Sequence, residues 1–152
     1  MNSPRLFQIS DRIALTLWVG GMWIIGYLVA PVLFNTIAQR SLAGEVAGHM
    51  FRAMSFVGLA CGTVLLLSAV LREPRIWWRR WTAWVVVAML AITIVGQFVL
   101  QPMMAELKLL GLDAQVAAQF GRLHGIASAL FGINSLLGLI LVGVSAVTPG
   151  RD

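Results

Sequence analysis

Four long apolar runs divide this chain and limit the folds that it can adopt. The runs cover about residues 13–34, 53–71, 82–100 and 125–147. About 20 helical residues are enough to cross the hydrocarbon core of a bilayer. Because lipid offers the backbone no hydrogen-bond partners, each run must form a helix that satisfies its own peptide groups. The sequence therefore predicts an all-α bundle of four transmembrane helices, which forms one integral membrane domain over residues 1–152.

Composition agrees with a membrane location. Of 152 residues, 59% are apolar and 11% are charged, whereas about a quarter of the residues in a soluble domain are charged. The net charge of +5 does not indicate nucleic-acid binding, because the basic residues stand beside the apolar runs and form no basic face. The single cysteine, Cys61, has no partner for an intrachain disulfide. The predicted partner of the chain is the lipid bilayer, and nucleic acid is excluded.

Two helices are predicted to begin well before their apolar runs. Ser41 can cap a helix that continues into the second span, and Asp113 can cap one that continues into the fourth. Both extensions precede spans that run in the same direction, so they lie on the same side of the membrane. We expect the second and fourth helices to project beyond the outer face of the bundle.

The distribution of basic residues predicts the orientation. With four spans, both termini and the loop between the second and third spans share one face, which holds seven basic residues against four on the other. The positive-inside rule places the richer face in the cytoplasm. The loop over residues 72–81 also holds three tryptophans, which is typical of a segment at the headgroup boundary. We predict a protein of the bacterial inner membrane with both termini cytoplasmic.

The two halves of the chain are faintly alike when one is shifted by 70 residues. Arg52 then aligns with Arg122, and Pro31 and Pro102 both stand near the outer ends of their spans. One interpretation is a pseudo-symmetric bundle of two repeated hairpins. The other is a chance match between apolar helices that are rich in alanine and glycine.

Small residues form stripes on two helices at about 100° per residue. Such stripes let membrane helices approach closely. We therefore expect the second and fourth helices to touch. The glycines predicted to mediate helix packing are Gly58, Gly62, Gly121, Gly125 and Gly132.

His124 lies at the edge of the stripe on the fourth helix. Because an imidazole without a partner is costly in hydrocarbon, we expect its ring inside the bundle, within reach of a polar group from another helix. The nearby polar residues predict a small hydrated cavity that opens outward. The positions predicted to line it are Gln97, Gln101, Ser128 and Asn134. His124 is either a structural hydrogen-bond donor or a functional ligand, and the residues leave both interpretations open.

Imidazole and thioether groups gather near the predicted outer face, where Met50 and Met54 follow His49. The candidate metal ligands are His49, Met50, Met103, Met104 and His124. This soft ligand set suits Cu(I) or another soft metal, while methionine is also a common gap filler in apolar cores. The carboxylates stand at span ends or in loops, so no intramembrane acid–base pair is predicted and the chain is not expected to be an enzyme. Haem is disfavoured, because His49 is predicted to lie above the membrane.

The segments LWVGGMWIIGYLVAPVLF, AGEVAGHMF and FGRLHGIASALFGIN are similar to the transmembrane-protein-205-like family, whose bacterial members carry a domain of unknown function. The resemblance covers nearly the whole chain. Its most specific positions are Phe120, His124, Gly125, Ser128 and Asn134. It implies a small four-helix membrane protein, a link to resistance to platinum drugs and a layout distantly similar to copper-resistance membrane domains. Unlike a metal transporter, this chain has few intramembrane sulfur ligands.

Two classes of function stay open. In the first, the protein handles or transports a soft metal ion or a small solute from the periplasmic side. In the second, it is a structural or partner-binding membrane protein, whose small-residue helix faces assemble a homo-oligomer or receive another membrane protein.

Overall fold

The computed structural model describes residues 3–110 and 113–147 and confirms four helices that are long and apolar enough to cross a membrane. The first helix consists of Ser3–Trp23, a π-helical segment Ile24–Val29 and Ala30–Thr36. The second helix is Arg40–Arg72. The third consists of Trp81–Val95, a π-helical segment Gly96–Leu100 and Gln101–Leu109. The fourth is Ala114–Val147, and a short 3₁₀ turn, Trp77–Arg79, lies in the central loop.

Each helix is longer than the hydrocarbon core requires. The second has 33 residues, about 50 Å at 1.5 Å per residue, against a core of about 30 Å. The early starts predicted for the second and fourth helices are confirmed at Arg40 and Ala114. The first and third helices also exceed their predicted spans, since they continue to Thr36 and Leu109.

The two predicted helix caps have different outcomes. The backbone N–H of Val116 donates to Asp113 Oδ1 at 2.8 Å, which confirms the cap of the fourth helix. The prediction for Ser41 is wrong, because the second helix begins two residues earlier than a Ser41 cap would require, at Arg40. Its N-cap position is Gln39, which makes no side-chain capping bond.

Consecutive helices are neighbours around the bundle, and the fourth packs back onto the first. This is the arrangement that short loops favour in an antiparallel four-helix bundle. It places the second and fourth helices diagonally opposite each other, so they do not meet along the small-residue stripes as predicted. The rings of Phe51 and Phe131 nevertheless meet across this diagonal, with centroids 5.3 Å apart.

The central core explains which glycines mediate packing. Trp18 is 2% exposed, and an added Cβ at Gly58 would lie 2.5 Å from its Nε1. Gly62 is similarly close to Trp18 and to Leu90 of the third helix. Both glycines therefore mediate packing as predicted, although their partners are the first and third helices.

The glycines predicted on the fourth helix do not mediate packing among the described residues. An added Cβ at Gly121, Gly125 or Gly132 would meet nothing within 4 Å. Gly138, one turn and a half further on, is the tight position, since its Cβ would lie 2.9 Å from Val19 Cγ2. The fourth helix thus joins the core through its second half.

The outer faces of the helices expose many large apolar side chains, which supports embedding in a lipid bilayer. Leu28, Leu67, Leu136 and Phe98 are each more than half exposed. Such a surface is unfavourable in water and favourable in hydrocarbon.

Candidate functional site

A cavity of about 440 Å³ lies between all four helices. It occupies the half of the bundle in which the first helix ends at Thr36 and the third at Leu109, which we call the distal half. Apolar and aromatic side chains form most of its wall: Trp18, Met22, Tyr27, Phe34, Phe51, Met54, Met104 and Phe131. The polar side chains that line it are Ser55, Thr93, Gln101, His124, Ser128 and Asn134.

Two π-helical segments border this cavity. The N–H of Ala30 donates to the carbonyl of Ile25, and that of Gln101 donates to the carbonyl of Gly96, each five residues back. A proline follows each segment at the second residue after its end, Pro31 in the first helix and Pro102 in the third. Because proline lacks an N–H and its ring clashes with the preceding turn, a wider π turn accommodates it within a continuous helix. A π turn followed by a proline therefore occurs beside the cavity in both halves of the chain.

Gly26, in the first π segment, sets the position of an aromatic wall. An added Cβ at this residue would lie 2.4 Å from the ring of Phe131. Phe131 also contacts Tyr27, with ring centroids 5.8 Å apart, and Tyr27 contacts Trp23 at 4.6 Å. A side chain at position 26 would displace Phe131, so glycine is what allows this wall to close.

Asn134 ties three helices together at the floor of the cavity. Its Nδ2 lies 3.3 Å from Thr93 Oγ1 on the third helix and 3.7 Å from Met22 Sδ on the first. The next residue, Ser135, accepts a hydrogen bond at its carbonyl from Trp23 Nε1 at 3.4 Å. Asn134 is 5% exposed, so these contacts are shielded from solvent.

Three of the four polar positions predicted for the cavity lie in its wall: Gln101, Ser128 and Asn134. Gln97 does not line it, although it is buried. The prediction assumed that Thr93, Gln97 and Gln101 share one face at α-helical spacing. The π segment Gly96–Leu100 changes that register and turns Gln97 away from the cavity.

The prediction that His124 lies inside the bundle is confirmed in part, because its side chain lines the cavity, but the predicted hydrogen bond is not formed among the described residues. The side chain is exposed, and its ring makes no hydrogen bond to another helix within residues 3–110 and 113–147. Instead it stacks on Phe120 of its own helix, with centroids 6.1 Å apart and planes 7° apart. The physical reason is that the first half of the fourth helix borders the cavity. His124 therefore faces open space where a neighbouring helix was expected.

The predicted metal ligands separate into two groups. Met104 is buried and lines the cavity together with His124. His49, Met50 and Met103 do not belong to the cavity wall. In the part of the chain that the structure describes, no three His, Cys, Asp or Glu side chains are grouped so as to hold a metal ion.

Met22 and Met54 bring two further thioethers to the wall, and of these sequence reasoning missed Met22. The spacing of Leu15, Trp18 and Met22 was the available signal for the first of them. These residues recur at intervals of three and four, which places them on one helix face. All three are buried in the same core cluster.

One family model matches the chain, over residues 13–112, and its description is a domain of unknown function (DUF4149). The match spans most of the first three helices, and the cavity extends beyond it to the fourth. No curated protein and no solved structure matches the chain.

Proposed function

This chain belongs to the DUF4149 family, and we propose that it binds a small, uncharged, largely apolar organic solute in the distal cavity. The observation that carries this proposal is the cavity itself. Its volume of about 440 Å³ falls in the range of about 300–1,000 Å³ that is usual for ligand sites. Aromatic and aliphatic side chains surround a few convergent polar groups, which is the usual composition of such sites.

The cavity wall favours binding over catalysis. Among the described residues that line it, none is an acid, a lysine, an arginine or a cysteine. His124 and Ser128 also line it, but the Ser128 hydroxyl donates to the backbone carbonyl of His124 and not to its ring, so the two do not form the nucleophile–base pair that such chemistry needs. We therefore propose a protein that carries or senses its solute and does not transform it.

The orientation that we propose exposes the distal half to the periplasm. The loop and termini at the opposite end carry most of the basic residues, and this asymmetry supports a cytoplasmic location for that end. Reporter fusions at Ala43 and Leu110 should read as periplasmic, and one at Arg75 as cytoplasmic. The reverse pattern would mean that solute enters the cavity from the cytoplasmic side.

Cysteine labelling tests whether the cavity is accessible to water and to a solute. In a Cys61→Ala background, Ser128→Cys places a thiol in the cavity wall, and Ala129→Cys places one on an exposed face outside it. A charged, membrane-impermeant methanethiosulfonate should label the first and spare the second, because a thiol in hydrocarbon stays protonated and unreactive. Addition of 1-naphthol should slow labelling at position 128.

Equal labelling of both cysteines would show that position 128 is no more enclosed than the lipid-facing surface. Normal labelling without protection by 1-naphthol would show an open, hydrated cavity that does not retain an aromatic solute. Either result contradicts the proposed function.

A soft metal ion is the second candidate ligand, because three thioethers and one imidazole line the cavity. These groups belong to Met22, Met54, Met104 and His124, and they form a soft ligand set. The resemblance to the transmembrane-protein-205-like family supports the same class of ligand. Copper(I) titration of the purified protein, with Met104→Leu beside Met103→Leu, tests this candidate. Loss of stoichiometric binding in Met104→Leu alone would favour the metal over the organic solute.

A further inference from the structure

We infer that the solute carries a hydrogen-bond donor, a hydroxyl or N–H group, and that this donor binds Asn134 Oδ1 at the cavity floor. The inference rests on the proposed solute-binding function and names the class of solute. It follows from the direction of the hydrogen bonds around the floor.

The orientation of the Asn134 amide is set by its neighbour. Thr93 Oγ1 donates its only hydrogen to the carbonyl of Met89, at 2.8 Å. A hydroxyl that has used its hydrogen can only accept, so the amide must turn its NH₂ group toward Thr93, at 3.3 Å. The sulfur of Met22, 3.7 Å from the same nitrogen, is also an acceptor. Both neighbours therefore favour this one rotamer of the amide.

This orientation leaves the amide oxygen without a partner. Asn134 Oδ1 is buried, and no described residue donates a hydrogen bond to it. Burial of an acceptor without a bond is unfavourable. A molecule that fills the floor of the cavity gains the most binding free energy if it donates a hydrogen bond to this oxygen.

The other hydroxyls in the wall favour the same conclusion. Ser55 Oγ donates to the carbonyl of Phe51, and Ser128 Oγ donates to the carbonyl of His124, each at 2.9 Å. Their hydrogens are engaged within their own helices, as is that of Thr93. The oxygens of these hydroxyl groups can therefore still accept a hydrogen bond from a ligand.

The side chains that can donate stand nearer the surface. Tyr27 and His124 are exposed, and Gln101 is half-buried. They can donate hydrogen bonds to an acceptor group at the outer end of the solute. The buried floor instead favours a solute group that donates. Because no carboxylate lines the cavity among the described residues, a neutral hydroxyl or amide N–H fits better than an ammonium group.

Two probes of nearly equal shape test the inference in the intact protein. 1-Naphthol has a hydroxyl donor, and 1-methoxynaphthalene replaces it with an acceptor. Equilibrium dialysis against protein in nanodiscs, with empty nanodiscs as the partition reference, measures both dissociation constants. We expect 1-naphthol to bind about tenfold more tightly, the effect of one net hydrogen bond.

Asn134→Leu and Thr93→Val change this selectivity in different ways. Asn134→Leu removes the acceptor, so the two probes should bind with affinities within about twofold of each other. Thr93→Val removes the neighbour that orients the amide, which can then turn its NH₂ group toward the ether oxygen. This variant should bind 1-methoxynaphthalene more tightly than the wild type does, and it tests the inference even where Asn134→Leu does not fold.

The outcomes separate this inference from the proposed function. If neither probe binds the wild type above its partition into lipid, the proposed function fails. If both bind with equal affinity, the cavity binds solutes but Asn134 does not select a donor. Selectivity that persists in Asn134→Leu, or that is unaffected by Thr93→Val, overturns the assignment of Asn134 Oδ1.

Discussion

The two ends of the bundle each contain a cavity, and the two cavities use polar groups in different ways. The distal cavity contains neutral polar side chains in a mainly apolar wall. The cavity at the opposite end, about 340 Å³, has five charged side chains in its wall: Asp11, Arg12, Arg72, Glu73 and Arg80.

The charged cavity uses most of its polar groups to hold the protein together. Arg72 pairs with Asp11 at 2.7 Å and so joins the end of the second helix to the first. Arg80 pairs with Glu73 across the central loop. Asp11 Oδ1 and, in the distal cavity, Asn134 Oδ1 are both buried without a hydrogen-bond donor, but the other oxygen of the Asp11 carboxylate is held in the ion pair with Arg72. The difference therefore lies in the ion pairs, which support structural bridging at the charged end, whereas the neutral wall of the distal cavity supports the proposed solute recognition.

The largest predicted effect concerns the layer that separates the two cavities. Trp18 lines the distal cavity, while its core neighbours Leu15 and Val86 line the charged one. Trp18→Ala should lower the free energy of unfolding by about 3–5 kcal/mol, because it creates a large void in the core. Thermal unfolding in detergent measures this loss.

Trp81→Ala is the matched control, since Trp81 is 53% exposed. It should cost less than about 1 kcal/mol. Equal losses in the two variants would contradict the view that the Trp18 layer separates the cavities.

A smaller effect is expected at the aromatic wall of the distal cavity. Gly26→Ala places a methyl group against the Phe131 ring and should cost about 1–3 kcal/mol through overpacking. Displacement of Phe131 should also weaken binding of 1-naphthol. Gly96→Ala is the control in the other π segment, because a Cβ there meets nothing within 4 Å among the described residues. A similar loss in both variants would indicate that the π turns themselves need glycine.

Hydropathy alone was sufficient to predict the fold class, because the energetic cost of unsatisfied backbone in lipid leaves few alternatives. The helix cap at Asp113 was also predictable, because a carboxylate just before a helix can accept hydrogen bonds from the free N–H groups of the first turn. Gln101, Ser128 and Asn134 were placed correctly in a cavity because inward polar groups are rare in membrane helices.

Helix neighbours and local register were not predictable in the same way. A stripe that includes Gly125 shows that close approach is allowed, but it does not show that a second helix is present. Likewise, the π segment Gly96–Leu100, which contains Gln97 and precedes Pro102, breaks the regular 100° spacing on which the prediction depended. Both errors, and the error at His124, concern the distal cavity, where two π segments interrupt the regular α-helical geometry.

A smaller effect again is expected from the ion pair at the charged end. The side chains of Arg72 and Asp11 are 32% and 28% exposed, so solvent screens part of their attraction. A double-mutant cycle with Arg72→Gln and Asp11→Asn should give a coupling energy of about 1 kcal/mol or less. Both variants should bind 1-naphthol as the wild type does. A loss of solute binding would show that the two ends do not act separately.

The smallest effect is expected at Gly125, on the exposed part of the fourth helix that borders the distal cavity. Gly125→Ala meets no described atom within 4 Å, and alanine favours helix more than glycine does. The free energy of unfolding should stay unchanged or rise by about 0.5 kcal/mol. Gly62→Ala is the contrasting variant, because its Cβ would lie 2.5 Å from Leu90 Cδ2.

The Gly125 measurement is best made both in detergent and in nanodiscs. Within one chain this face has open space, so only a second molecule can make the position sensitive to a methyl group. A loss of more than about 1 kcal/mol in nanodiscs alone would be the overpacking expected at a helix contact. Cross-linking should then show a dimer through the fourth helix, and solute in the distal cavity would be bounded by two chains.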